Sequence, residues 1–175
     1  MTSLEKLSEI CRSWGGRILH INKGLFKNFF SWRDAGPGRV LLDDYSDAPF
    51  TSYVGVNHKR KTIYIAKPDV NPGEIVHEMG HVFATNKAPE QTEEWVWFGW
   101  EFALARKTGC IKQWMRSCNL YQVGTEALNG STKDIIDFGG LNVKDRRKVL
   151  LERLDLALHH KLITSDLEPL SVRIS

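Results

Sequence analysis

The sequence predicts a single α+β domain over residues 1–175, in which a small, mostly antiparallel sheet packs on one buried helix and on further helices. The length suits one domain with a hydrophobic core better than two. Short β-prone runs all lie before position 67, and apart from one N-terminal helix the helical patterns follow position 73. Strands and helices that are segregated along a chain are typical of the α+β class.

The N-terminal segment is predicted to be a helix followed by a strand. Apolar residues recur at helical spacing over Ser3–Trp14. Ser3 is expected to cap this helix, and Gly15-Gly16 to end it. Ile18–Ile21 is the first predicted strand.

Three further β-prone runs precede the central helix. They are Arg39–Leu42, Ser52–Val56 and Thr62–Ala66. The segment Asn57–Lys61 separates the last two runs and is predicted to be a hairpin loop. Its consecutive cations are expected to be solvated.

The central helix is predicted over Glu74–Thr85 and carries His77, Glu78 and His81 in the pattern H-E-x-x-H. Helical periodicity places both histidines on one face, where two imidazoles can bind one Zn²⁺. Glu78 can then take a proton from a water activated by the metal. Gly80 leaves room for the close approach of a neighbouring element. A core helix that carries two histidines by chance is the competing interpretation.

Two more helices are predicted after the central one, which Asn86 is expected to end. The stretch Glu93–Lys107 is apolar on all sides, as is typical of a helix buried inside a domain, and Gly109 ends it. A shorter helix is predicted within Cys110–Cys118, with Trp114 among its inward-facing residues.

The C-terminal part is predicted to be loops followed by a long helix. Tyr121–Gly140 is rich in glycine and polar residues, and Asn142 is expected to cap a helix over Val143–Leu162. The basic stretch Arg146–Lys148 is interrupted by acidic residues nearby and is expected to be solvated. The tail after Thr164 is expected to be peripheral.

A catalytic zinc usually has three protein ligands and one open position. Four glutamates after the central helix are candidates for the third ligand: Glu90, Glu93, Glu94 and Glu101. If the two helices form an antiparallel hairpin centred near Lys87, position 95 faces the histidines, and Glu94 lies beside it. Glu101 then faces Gly73, about 9 Å further along the axis. This geometry favours Glu94.

Glu101 needs a role of its own, because a carboxylate among apolar residues must be paired, protonated or hydrogen-bonded. It is expected either to accept from the free N–H groups at the start of the central helix or to hydrogen-bond a ligand histidine. The alternative that Glu101 is itself the third ligand stays open.

The pattern His77-Glu78-x-x-His81 resembles the zincin metallopeptidases. The stretch Glu94–Ala103 resembles a second motif, E-A-x-x-F-A-x-E-L-L, of the ImmA/IrrE-type peptidases of bacteria and phages. The resemblance implies a zincin-like fold and a zinc cofactor, and it points to Glu94 as the third ligand. It also implies an edge strand above the metal helix that holds an extended substrate.

The function implied by this resemblance is that of a zinc-dependent endopeptidase. Glu78 would act as the base, and the substrate would be a peptide or protein, with an intracellular regulatory protein as the expected class. The alternative is a regulatory or binding protein on the same scaffold with a structural or absent metal; Glu78 argues against it, because a structural site does not need this carboxylate. Nucleic-acid binding is not expected, because it would depend on charge alone, and the net charge is only +3.

The composition predicts a cytoplasmic protein that does not enter a membrane. The longest apolar run, Trp95–Trp100, is far too short for a membrane span, and no apolar signal sequence follows the first lysine. Three irregularly spaced cysteines are expected to be free thiols in a reducing compartment. They are Cys11, Cys110 and Cys118.

Overall fold

The computed structural model describes residues 1–20, 54–57, 60–66, 69–84, 97–117 and 141–171. Within these ranges the chain forms five helices and three strands, which confirms the α+β class. The helices are α1 (Ser3–Ser13), α2 (Pro72–Phe83), α3 (Phe98–Thr108), α4 (Ile111–Ser117) and α5 (Val143–His159). The strands are β1 (Arg17–His20), β2 (Val54–Asn57) and β3 (Thr62–Ile65).

The described strands form a mixed sheet in the order β1-β3-β2. β2 pairs antiparallel with β3, as expected for strands on either side of the predicted hairpin loop, of which residues 58 and 59 lie outside the described residues, whereas β1 pairs parallel with β3. The expectation of a mostly antiparallel sheet is therefore wrong for these strands. The cause is the turn at Gly15 and Gly16, after which the Arg17 N–H donates to the Lys61 carbonyl oxygen at 2.9 Å. The chain thus enters β1 beside the start of β3 and runs in the same direction.

α1 lies where the sequence predicts it, but Thr2 caps it rather than Ser3. The Thr2 hydroxyl accepts from the Glu5 N–H at 3.2 Å, and the Glu5 carboxylate accepts from the Thr2 N–H at 2.6 Å. This reciprocal capping box requires a glutamate or glutamine three residues after the cap. Ser3 has Lys6 at that position, so the cap moves by one residue.

α2 begins two residues before the predicted Glu74, because Asn71 caps it. Asn71 Oδ1 accepts from the Gly73 N–H at 2.8 Å, and the Glu74 carboxylate accepts from the Asn71 N–H at 3.1 Å. The helix ends at Phe83, before the predicted Thr85. It packs against β2, β3 and the helices α1, α3 and α4, so that most of its residues are buried. The histidine motif therefore lies in the centre of the described domain.

α3 and α4 pack beside α2 and carry buried tryptophans. Gly109 ends α3 in the left-handed conformation, with φ 76°, as the sequence predicts. In α4, Trp114 is fully buried and Lys112 and Arg116 are exposed, which confirms the predicted orientation of this helix.

α5 is capped by Asn142, whose side chain accepts from the Asp145 N–H at 2.9 Å, as predicted. The tail after Thr164 is not peripheral, and that expectation is wrong. Pro169 is buried, and the indole N–H of Trp100 donates to the Leu170 carbonyl oxygen at 2.8 Å. A buried indole N–H needs an acceptor, and the C-terminal segment supplies it.

Several predicted features lie outside the described residues. They are the strand Arg39–Leu42, the helix end at Asn86, the loops Tyr121–Gly140 and the thiol of Cys118. Among the helices that the structure describes, none combines the length and the apolar character required to cross a bilayer.

Candidate metal centre

The two histidines of the motif meet on one face of α2. Their Nε2 atoms are 3.0 Å apart, and the two rings are nearly perpendicular, with an interplanar angle of 87°. Both side chains are buried, with exposed fractions of 5% for His77 and 4% for His81. Helical spacing therefore brings the two side chains together, as the sequence predicts.

This arrangement fits a shared zinc ion. Two nitrogens bound to one tetrahedral zinc by bonds of about 2.0–2.1 Å lie roughly 3.3 Å apart. The separation between the Nε2 atoms of His77 and His81 is 3.0 Å, close to that value, and both atoms belong to the ring positions that histidines commonly present to metals.

Glu101 lies on the opposite side of the His77 ring. Its Oε1 is 3.3 Å from His77 Nδ1, and its side chain is only 2% exposed. When a carboxylate accepts a hydrogen bond from the Nδ1–H of a neutral histidine, the other ring nitrogen, Nε2, carries a lone pair. In His77, Nε2 is the atom that faces His81. One of the two contacts predicted for Glu101 is therefore present. The other predicted contact, with the first turn of α2, is not needed, since Asn71 caps that turn.

The packing of α3 on α2 differs from the predicted hairpin by about one helical turn. The helices are antiparallel, as expected, since position 77 contacts position 101 and position 80 contacts position 97. These pairs centre the hairpin near position 89 rather than position 87. Glu101 consequently faces His77 and not Gly73. The same shift moves the position that faces the histidines away from Glu94, so the hairpin geometry no longer selects Glu94.

The described residues alone do not show a complete set of metal ligands at the histidine pair. Within those ranges, no three histidine, cysteine, aspartate or glutamate side chains are placed to hold one metal ion. In this structure Glu101 Oε1 contacts Nδ1 of His77 and not the Nε2 atoms that converge. Glu90, Glu93 and Glu94 lie outside the described residues. Glu94 therefore stays a prediction that depends on the family resemblance.

Gly80 allows the indole of Trp97 to lie against the histidines. A Cβ at Gly80 would lie 2.6 Å from Trp97 Nε1, which is closer than any real Cβ contact. The Trp97 ring is 4.8 Å from the His81 ring between centroids, and it is fully buried. The close approach predicted from Gly80 is thus confirmed. The Trp97 ring therefore packs directly against the His81 ring.

Sequence reasoning missed the contribution of α4. The indole N–H of Trp114 donates to Glu101 Oε1 at 3.3 Å, so that Glu101 is held from two sides. The sequence contains the signal for this contact: a buried tryptophan needs an acceptor for its N–H, and a buried carboxylate needs donors. Only the tertiary structure shows that the two requirements are met by the same pair.

The thiols do not offer an alternative metal site among the described residues. Cys11 and Cys110 are buried and free, as predicted. Burial raises the pKa of the Cys11 thiol to about 12 and also raises the pKa of Cys110. Neither thiol belongs to a group of three metal-binding side chains among the described residues.

Comparisons of the chain with protein-family models, with curated proteins and with solved structures give no match. The assignment of a function therefore depends on the motif and on the geometry of this site.

Proposed function

We propose that the chain is a zinc-dependent endopeptidase with a zincin-like arrangement of metal helix and sheet. The observation that carries the proposal is the convergence of His77 Nε2 and His81 Nε2 at 3.0 Å, together with Glu101 at the other nitrogen of His77. Helical spacing alone does not orient two imidazoles toward one point. A carboxylate behind a ligand histidine is the usual companion of zinc-binding histidines in proteins.

His77, His81 and Glu94 would hold the zinc in this proposal, with Glu101 orienting His77. When bound, zinc supplies a Lewis acid that polarises the scissile carbonyl and makes water a nucleophile near neutral pH. Both imidazoles must be neutral to bind a metal, so zinc affinity in this proposal falls as the pH is lowered.

Glu78 is the proposed general base. It directly follows His77 but is partly exposed, whereas the two histidines on either side of it are buried. It can therefore reach water and substrate, take a proton from the attacking water and pass that proton to the leaving amine nitrogen. A purely structural metal site has no use for such a carboxylate.

The position of the sheet supports a peptide as the substrate. α2 packs directly against β2, and β2 lies at one edge of the sheet formed by the described strands. An extended peptide can bind to an edge strand through main-chain hydrogen bonds. The proposed substrate is accordingly an extended segment of a peptide or protein.

Removal of the metal tests the proposal. We expect the zinc-loaded protein to hydrolyse an unfolded substrate such as reduced casein, to lose this activity after dialysis against a strong zinc chelator, and to regain it when zinc is added back. The same chelator saturated with zinc is the control for non-specific effects. If metal analysis shows that no zinc is left and hydrolysis still proceeds at the full rate, the proposal is contradicted.

A further inference from the structure

Side chains from three helices meet at one oxygen atom. Glu101 Oε1 on α3 lies 3.3 Å from His77 Nδ1 on α2 and 3.3 Å from Trp114 Nε1 on α4. Glu101 is 2% exposed and Trp114 is fully buried. Trp114 has no part in the chemistry proposed above, yet it donates to the same carboxylate oxygen that lies beside His77.

The indole fixes the direction of the hydrogen bonds in this cluster. An indole N–H can only donate, so Glu101 Oε1 must accept at this contact. With Oε1 accepting from the indole, the arrangement favours His77 Nδ1–H as the second donor to this oxygen. His77 Nε2 consequently carries a lone pair that faces His81 Nε2 at 3.0 Å. A lone pair at this position can accept a hydrogen bond from His81 Nε2–H.

α4 is held against the same helix that carries His77. A Cβ at Gly73 would lie 2.5 Å from Trp114 Cα, so the two backbones are in close contact at this point. The Asn71 side-chain amide donates to the Gln113 carbonyl oxygen at 3.2 Å. Because both contacts join α4 to the first turn of α2, the position of the Trp114 indole is set relative to His77.

We propose that Trp114 is a positioning residue for the metal centre. Through Glu101 it holds His77 with Nδ1 protonated and Nε2 available before any metal binds, and this raises the affinity of the site for zinc. The effect on zinc rests on the proposed function, whereas the tautomer of His77 is a property of the metal-free protein. Loss of an outer partner of a ligand histidine typically lowers metal affinity about 10–100-fold. Trp114 acts one step further out, so about tenfold is expected.

The test compares Trp114→Phe with Trp100→Phe. Both substitutions remove a buried indole N–H that donates to a protein oxygen and keep an aromatic ring. Only Trp114 contacts Glu101, since Trp100 donates to the Leu170 carbonyl oxygen. Two quantities are measured: the ¹⁵N chemical shifts of His77 in the metal-free protein, which report its tautomer, and the zinc dissociation constant by competition with a chelator.

We expect wild-type His77 to be protonated on Nδ1. Trp114→Phe should give a mixture of tautomers and about tenfold weaker zinc binding, whereas Trp100→Phe should leave both quantities unchanged. An Nε2-protonated His77 in the wild type would overturn the inference, and so would equal effects of the two substitutions or no effect of Trp114→Phe. The wild-type spectrum decides the tautomer even if Trp114→Phe does not fold. A wild-type protein with the expected tautomer and no affinity for zinc would overturn the proposed function instead.

Discussion

The Glu78→Gln protein should bind zinc as the wild type does and lose peptide hydrolysis by about 10²–10⁴-fold, the usual contribution of a general base. The amide has the size of the carboxylate but cannot accept a proton from water. His77 and His81 are unchanged, so the histidine ligands remain. The measurement is the initial rate of hydrolysis of one peptide by zinc-loaded wild type and variant at equal zinc content.

Glu74→Gln is the matched control for this variant. Glu74 is another partly exposed carboxylate on α2, but its role is to accept the Asn71 N–H in the capping box. Its substitution is expected to lower the thermal unfolding temperature and to leave the hydrolysis rate per folded molecule within about twofold, since the helix cap is worth only about 1 kcal/mol. A Glu78→Gln protein as active as this control would show that the hydrolysis has another origin.

The second large effect is expected from Glu94→Ala, which should lower zinc affinity by more than about 100-fold because it deletes a ligand oxygen. Glu101→Ala should lower the affinity about 10–100-fold, as is typical of an outer partner of a ligand histidine. Glu101→Gln should have a milder effect, since the amide oxygen can still accept from His77 Nδ1 and Trp114 Nε1. Zinc titrations are made at a pH where the histidines are neutral, because protons compete with zinc for the imidazoles.

The opposite ranking would change the assignment of the third ligand. If Glu101→Ala empties the site and Glu94→Ala does not, Glu101 binds the metal, and its contact with His77 Nδ1 gives way when zinc is present. The stretch Glu94–Ala103 would then no longer support the resemblance to the ImmA/IrrE-type peptidases, because Glu94 would not be a metal ligand.

The histidine pair could be predicted from the sequence because helical geometry is local. A spacing of four residues fixes the face on which His77 and His81 lie, whatever the rest of the chain does. Gly80 likewise predicted a close neighbour, and Trp97 is that neighbour. The identity of the neighbour could not be predicted, because it depends on the packing of a separate helix.

The register between α2 and α3 could not be predicted, because it depends on how the chain between Phe83 and Trp97 is arranged. A change of two positions in the centre of a helical hairpin moves the facing residue by four, which is about one turn. Because of that shift, Glu101 lies beside His77 and not near Gly73, where the predicted hairpin would have placed it. Contacts across the hairpin are thus more sensitive to the connection than the helices themselves are.

Strand direction was also beyond the sequence pattern. The alternation of apolar residues predicts that β1 is a strand but carries no information on whether its neighbour is parallel or antiparallel. The backbone contact between Arg17 and Lys61 decides this point, and it is visible only in the folded chain.

We propose that His77 and His81 together bind one catalytic zinc, and the metal content of the purified protein tests this. Wild type, His77→Ala, His81→Ala and His20→Ala are purified in the presence of zinc, desalted and analysed by mass spectrometry for metal per chain. His20 is exposed on β1 and serves as the control. We expect about one zinc per chain in the wild type and in His20→Ala, and none in the other two variants. Stoichiometric zinc in folded His81→Ala would contradict this proposal.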